Sequence, residues 1–429
     1  MTTIVHVDAD WILDSRAVAT IEATVTLSDG RSVFAQAPSG ASTGRFESVE
    51  LRDADPRRFG GKGVEVAVKG VREDISPALS GMDATDQIAI DNTLVSVDGT
   101  DNRSRLGANA MLAVSAACAR AGAAVQELEL WQHLATGRTP TLPLPMVNLF
   151  SGNLHASGSM SIQDVLIVPL GASDLPTAIE WADDIYRTTR VMLKEENSST
   201  LVGDEGGFGA PSKSSETTIA FATRAIERAG RILGTEVGIA LDVAGSHIQQ
   251  LDGSYLLDGR LASPEELIDI FASWIRRFPI VSIEDPLGED DWNGWLGAAK
   301  KFDRNIQLVG DDLLCTHLDR LERAAADGCA NAVLVKANQI GTLTEALIVS
   351  DRARVLGMRA VVSARSGETE DDWLADLAVA SGAGQIKIGS MARSERLAKY
   401  NRLLRISRGA NSPPWSGSNG FEKVVHPPD

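Results

Sequence analysis

The sequence predicts an α/β protein: a (β/α)8 barrel preceded by a smaller α+β domain. Three observations carry that reading. Short apolar runs recur after residue 145, separated by helical stretches; six successive runs end in a charged residue; and the first 140 residues have a different character, strand-like at first and then helical. A single barrel takes about 250 residues, which leaves room in a chain of 429 for one smaller domain.

In the first domain, residues 18–27 alternate apolar and polar, Asp29-Gly30 gives a hairpin turn signal, and residues 32–37 resume the alternation. The Gly-rich stretch Pro38-Ser-Gly-Ala-Ser-Thr-Gly44 follows. Helical periodicity then runs over residues 64–79, 84–94, 107–124 and 126–134. Residues 111–125 are the most apolar stretch. They are interrupted by Arg120 and fall short of the roughly 20 uncharged residues of a membrane span, so they read as a buried Ala-rich helix. Three prolines in Thr139-Pro-Thr-Leu-Pro-Leu-Pro145 mark the boundary, giving domains 1–140 and 141–429.

The apolar runs of the second domain cover residues 162–170, 237–243, 280–283, 306–309, 332–335, 359–363 and 385–388. They are too short for helices, and read as buried parallel strands of βα units. Asp242, Glu284 with Asp285, Asp311 with Asp312, Lys336, Arg365 and Lys387 close the last six in turn. In a barrel those ends converge on one face, where active sites lie. The tail from Ser412 is rich in Pro, Gly and Ser and is expected to wrap the surface.

The formal charge is −17, which disfavours nucleic acid and anionic membranes as partners. Three cysteines without CxxC spacing argue against disulfides and a thiolate metal site. With no basic start or apolar signal core at the N-terminus, the expectation is a cytoplasmic protein.

Carboxylates converging on one point repel unless a cation joins them. An all-oxygen donor set selects a hard ion, Mg2+ by default with Mn2+ as the alternative. Lys336 and Lys387 lie on nearby strand ends, where crowding by cations and desolvation lower a lysine's pKa and create a neutral base. Val202-Gly-Asp-Glu-Gly-Gly-Phe208 places Glu205 in a Gly-flanked loop suited to close approach to a ligand, though it reads equally as an exposed acidic turn. Arg365-Ser366 could grip a phosphate. The Ser39–Gly44 loop lacks the P-loop pattern and reads as a mobile lid or an ordinary loop.

The chain resembles the enolase family from Ile12 to about Phe421. The resemblance rests on residues 38–44 and 202–208 and on Ser282-Ile-Glu-Asp-Pro286, Val309-Gly-Asp-Asp-Leu313, Lys336-Ala-Asn-Gln-Ile-Gly341, Arg365-Ser-Gly-Glu-Thr-Glu-Asp371, Gly384-Gln-Ile-Lys387 and Arg393-Ser-Glu-Arg-Leu-Ala-Lys-Tyr-Asn401. It implies a homodimer with Glu22 and Arg405 in a pair between subunits, and two magnesium ions. Asp242, Glu284 and Asp311 resemble the ligands of the first. Ser39 resembles a ligand of the second, which arrives with substrate. Lys336 resembles the base, Glu205 the acid, Lys387 a ligand of the substrate carboxylate, and Arg365 and Ser366 the phosphate grip. Gln163 and His155 match pocket residues. A lysine base with magnesium is the known equipment of enolase-superfamily sites for removing a proton α to a carboxylate.

Four departures bear on the substrate. Ala364 stands where enolases carry histidine, and Asp164, matched to a catalytic-pocket glutamate, is one methylene shorter. Gly152-Asn-Leu-His-Ala-Ser157 and Ala17-Val18-Ala19 also differ from the family pattern. They imply a specialised relative acting on a small anionic phosphorylated or phosphonylated substrate. The preferred substrate is a 2-phosphoglycerate enlarged at phosphorus, giving carboxyphosphonoenolpyruvate as in phosphinothricin-type antibiotic biosynthesis. Glycolytic conversion of 2-phosphoglycerate is the alternative, and a non-catalytic scaffold the alternative of another class.

Overall fold

The structure is a computed structural model that describes residues 2–40, 44–156, 160–302 and 305–421. Residues 41–43 of the Gly-rich loop and Ser157 lie outside the described residues. The N-terminal sheet is antiparallel, in the order β1 (Ile4–Leu13), β2 (Ala19–Leu27), β3 (Ser32–Gln36). Alternate residues of β2 are wholly buried, as period-2 patterning requires, and Gly30 takes the positive φ (88°) that the hairpin turn demands. Helix Ala108–Gln126 packs across β2 and β3. By length and composition this helix could cross a bilayer, contrary to the expectation from residues 111–125, but it is largely buried inside the protein.

Eight strands close the barrel: β4 (Leu144–Ser151), β5 (Asp164–Val168), β7 (Gly238–Asp242), β10 (Ile280–Glu284), β11 (Gln307–Gly310), β12 (Ala332–Val335), β13 (Arg359–Ser363) and β14 (Gln385–Gly389). The small strand β6 (Phe208–Gly209) borders β4, and β8 (Tyr255–Leu257) and β9 (Arg260–Ala262) form a side hairpin. Pairing of β14 with β4 completes the ring. The expectation of uniformly parallel strands is corrected at β5, which runs antiparallel to both β4 and β7. The described part of the β4–β5 connection holds only a 3-10 turn, Asn153–Ala156, and a parallel pair needs a long crossover, usually a helix. Reversal carries the first residue of β5 to the end of the barrel where β7 finishes: Asp164 is in register with Asp242, the last residue of β7.

Leu144, Met146, Leu166, Val168, Ala240, Val309, Leu334 and Val361 fill the barrel interior. Outer helices follow from local rules. Helix Pro264–Arg277 has a Ser263–Glu266 capping box, Pro264 at its first position, acids in its first turn and arginines in its last; the cap alone stabilises it by about 1 kcal/mol. The tail returns to the barrel floor, where Ser416 Oγ donates to the carbonyls of Leu142 and Gly384, and Gln385 Nε2 donates to Gly420 O.

Candidate active site

The expected ligands Asp242, Glu284 and Asp311 stand at the ends of three adjacent strands, all buried. Lys387 lies between the first two, with Nζ donating to Asp242 Oδ2 (2.7 Å) and to both oxygens of Glu284 (2.8 and 2.7 Å). Lys336 Nζ donates to Asp311 Oδ2, and Gln339 Nε2 to Asp311 Oδ1 (2.9 Å). Gln163 Nε2 donates to Asp242 Oδ2 (3.2 Å). Burial, then the neighbouring Asp242, pushes the Glu284 carboxyl well above its usual range, although Lys387 opposes them. The lysine expectation is corrected here. Burial, the largest effect, disfavours the Lys336 ammonium, but the surrounding carboxylates, Asp311 foremost and then Glu284, together outweigh it and hold the pKa above the ordinary lysine value.

Beside Asp242, on the neighbouring strand, Asp164 Oδ1 accepts from Asn148 Nδ2 (2.6 Å) and Ser151 Oγ (2.9 Å), and Oδ2 pairs with His155 Nδ1 (3.0 Å). The other ring nitrogen of His155 lies 3.9 Å from Glu205 Oε1. The glycines around Glu205 permit close packing against the protein itself. A Cβ on Gly203 would sit 2.5 Å from His155 O, and one on Gly207 would sit 2.7 Å from Asn148 Oδ1. Glu205 is buried, so the exposed-turn alternative falls. Burial works against its charge, but His155, Arg396, Lys387 and Lys336 together hold the carboxyl below its usual value. For His155 burial also opposes the charge, yet Asp164 and Glu205 push the imidazole up to about 9. Burial raises Asp164 as well, against the opposing pull of His155.

At the opposite end Arg365 is buried, with Nη1 donating to Glu47 Oε2 (2.9 Å) and Asn338 Oδ1 (2.7 Å) and Nη2 to Glu47 Oε1 (3.3 Å). Ser366 Oγ accepts from Arg16 Nη1 (3.2 Å). Ser39 faces the same arginine: its hydroxyl donates to Asp14 Oδ2 (2.5 Å) and accepts from Arg16 Nη2 (3.0 Å), rather than meeting the three strand-end carboxylates. Ala364 is buried beside β14, its N–H donating to Lys387 O (2.8 Å). Glu22 and Arg405 bond within the chain, to Gln36 and Asp372.

Residues 4–134 match the family described as enolase, N-terminal domain, and residues 139–423 the enolase C-terminal TIM barrel domain. The chain belongs to the enolase family. Enolases are magnesium-dependent dehydratases that act on small phosphorylated substrates.

The donor chemistry of this site fits magnesium. Asp242, Glu284 and Asp311 offer only carboxylate oxygens, and burial, with the Asp242 charge beside it, raises Glu284. Among the described residues, the tight acidic groupings are Asp285 with Asp311 and Asp312, and His155 with Asp164 and Glu205, each with ligand atoms within 4.8 Å of one another. Of the three expected ligands, only Asp311 belongs to such a group. Asp285 acts beneath it, its two oxygens accepting the N–H groups of Asp311 (2.9 Å) and Asp312 (2.7 Å). Burial and the Asp311 charge raise Asp312 to about 8. Glu47, Asn338, Asn148, Ser151 and Arg16 went unnamed as site residues from sequence. Glu47 is 318 positions from Arg365, so no local pattern announces that pair.

Proposed function

We propose that the chain dehydrates a 2-phosphoglycerate-like acid with magnesium, and that its substrate is enlarged at phosphorus, the product being carboxyphosphonoenolpyruvate. The observation that carries the chemistry is the division of the mouth. Lys336 and Lys387 sit on three strand-end carboxylates, while His155 and Glu205 form a separate buried pair 3.9 Å apart. Lys336 takes the α-proton once it has given up its own proton and its pairing with Asp311, and Lys387 orients the substrate carboxylate. Glu205 takes a proton from His155, which Asp164 orients, and passes it to the departing β-hydroxyl, so that one water leaves. Gln163 lines the wall beside Asp242. Asp242, Glu284 and Asp311 would hold magnesium, which supplies positive charge against the dianion that forms when the α-proton is removed. Ser39 would be the ligand of a second magnesium ion.

The enlarged substrate is supported by Ala364. The methyl group there, directly before Arg365, takes less space than an imidazole would. Plain 2-phosphoglycerate is the second reading, supported by the presence of Asp242, Glu284, Asp311, Lys336, Glu205, Arg365, Ser366 and Lys387. The test compares kcat/KM of the purified enzyme, with magnesium, on 2-phosphoglycerate and on its carboxyphosphono analogue. Strong preference for the analogue is expected. Efficient turnover of 2-phosphoglycerate with an inert analogue overturns the specialised reading.

A further inference from the structure

Arg396, on helix Ser394–Ser407, is wholly buried. A buried guanidinium ordinarily needs a carboxylate partner. Its nearest is its own neighbour Glu395, with Oε1 3.5 Å from Nε. Its terminal nitrogens instead serve backbone carbonyls: Nη1 donates to Arg365 O (2.6 Å) and Ile388 O (3.1 Å), and Nη2 to Ser366 O (2.6 Å). These carbonyls belong to the two residues of the anion grip and to the residue after Lys387.

The stem of Arg396 has a second neighbour. Gly389 has φ +123°, and a Cβ there would meet Glu205 O at 2.8 Å and Arg396 Cδ at 2.9 Å. Ser390 N donates to that same Glu205 carbonyl (2.8 Å). The backbone of Glu205 thus docks on the end of β14 where the Arg396 stem packs. On the same helix, Lys399 Nζ donates to Thr369 O (2.6 Å) and pairs with Glu368 Oε2 (2.8 Å), while Glu368 Oε1 accepts from Arg365 N (3.0 Å).

We infer that Arg396 is a positioning residue that locks the anion grip and Glu205 into one frame. It fixes the distance between the substrate's phosphorus head and the proton-delivering carboxyl while touching neither. This rests on the reading that Arg365 and Ser366 receive the substrate's anionic head. Three carbonyls at one guanidinium need a planar fork, which an ammonium cannot reproduce. Arg396→Lys therefore keeps the charge and removes the fork.

The experiment measures Arg396→Lys, Arg396→Met and the control Leu403→Ala, a buried residue of the same helix. In Arg396→Lys, KM for the better substrate and Kd for inorganic phosphate should rise on the order of ten- to a hundred-fold, and amide exchange of residues 365–369 should accelerate. Leu403→Ala should lower Tm and leave KM, phosphate affinity and that exchange unchanged. If Arg396→Met fails to fold, Arg396→Lys still decides. Arg396→Lys with parental phosphate affinity and amide protection, whatever its Tm, overturns the assignment. Inactivity of the unmodified enzyme on both substrates would instead sink the functional reading, and the amide exchange would still report on the clamp.

Discussion

Replacing Lys387 by methionine tests the electrostatics of the metal end without relying on turnover. The ammonium makes three short bonds to Asp242 and Glu284, and its side chain and theirs are 7%, 3% and 2% exposed. Methionine keeps the stem and leaves two buried carboxylates facing each other with no cation. Breaking a buried pair by removing one partner costs about 3 to 5 kcal/mol, and the variant should lose stability on that scale in EDTA. A divalent cation supplies the missing charge, and the ammonium no longer competes with it. Magnesium should therefore bind the variant more tightly and stabilise it by more than it stabilises the parent, following linkage. The assay is urea unfolding followed by tryptophan fluorescence, with EDTA and with saturating magnesium. A variant as stable as its parent in EDTA, or a magnesium gain no larger than the parent's, refutes the reasoning.

Lys336→Ala should abolish exchange of the substrate α-proton with deuterated solvent, whereas Glu205→Gln should slow water loss more than exchange; intact exchange in the lysine variant would remove Lys336 as base. His155 should titrate near pH 9 by NMR in metal-free enzyme, and a midpoint near 6.5 contradicts its pairing with Asp164 and Glu205. Because the folded pKa is the higher one, the stabilisation of ~3 kcal/mol is fully present below pH 6.5 and is lost as pH rises through about 9, so the stability gap to His155→Asn should shrink over that window. Ala364→His should depress turnover of the enlarged substrate at least ten-fold by overpacking the anion end; an unchanged kcat/KM would make Ala364 irrelevant to specificity. Light scattering should report a homodimer, and monomer mass across micromolar concentrations would contradict it.

Charge at the end of a buried run is legible because it breaks an apolar pattern, and Asp242, Glu284, Asp311, Lys336, Arg365 and Lys387 were found that way. Direction is not: an apolar run reports burial on both faces whichever way the strand points, so the reversal of β5 stayed hidden. β4 was masked by prolines. Pro145 demotes a run as a strand, yet it sits at the second residue of β4, where one missing N–H is tolerated. The titration states were illegible for another reason. General crowding assigns a lowered lysine pKa, but the sign depends on which partners win, and for Lys336 the surrounding carboxylates together win over burial. Asp285 reads as half of an acidic pair, and only the fold turns its oxygens onto two backbone N–H groups.

The seam between β14 and β4 sets an order of events for the growing chain. The N-terminal sheet is built from two hairpins and can form soon after its residues emerge. The ring cannot close until Gly389 has left the ribosome, because its last strand pairs with its first. During that interval β4 presents an unpaired edge, and contacts this distant in sequence form slowly. The nascent barrel is thus at its most aggregation-prone before the final helix is made, when a chaperone that shields strand edges has most to offer.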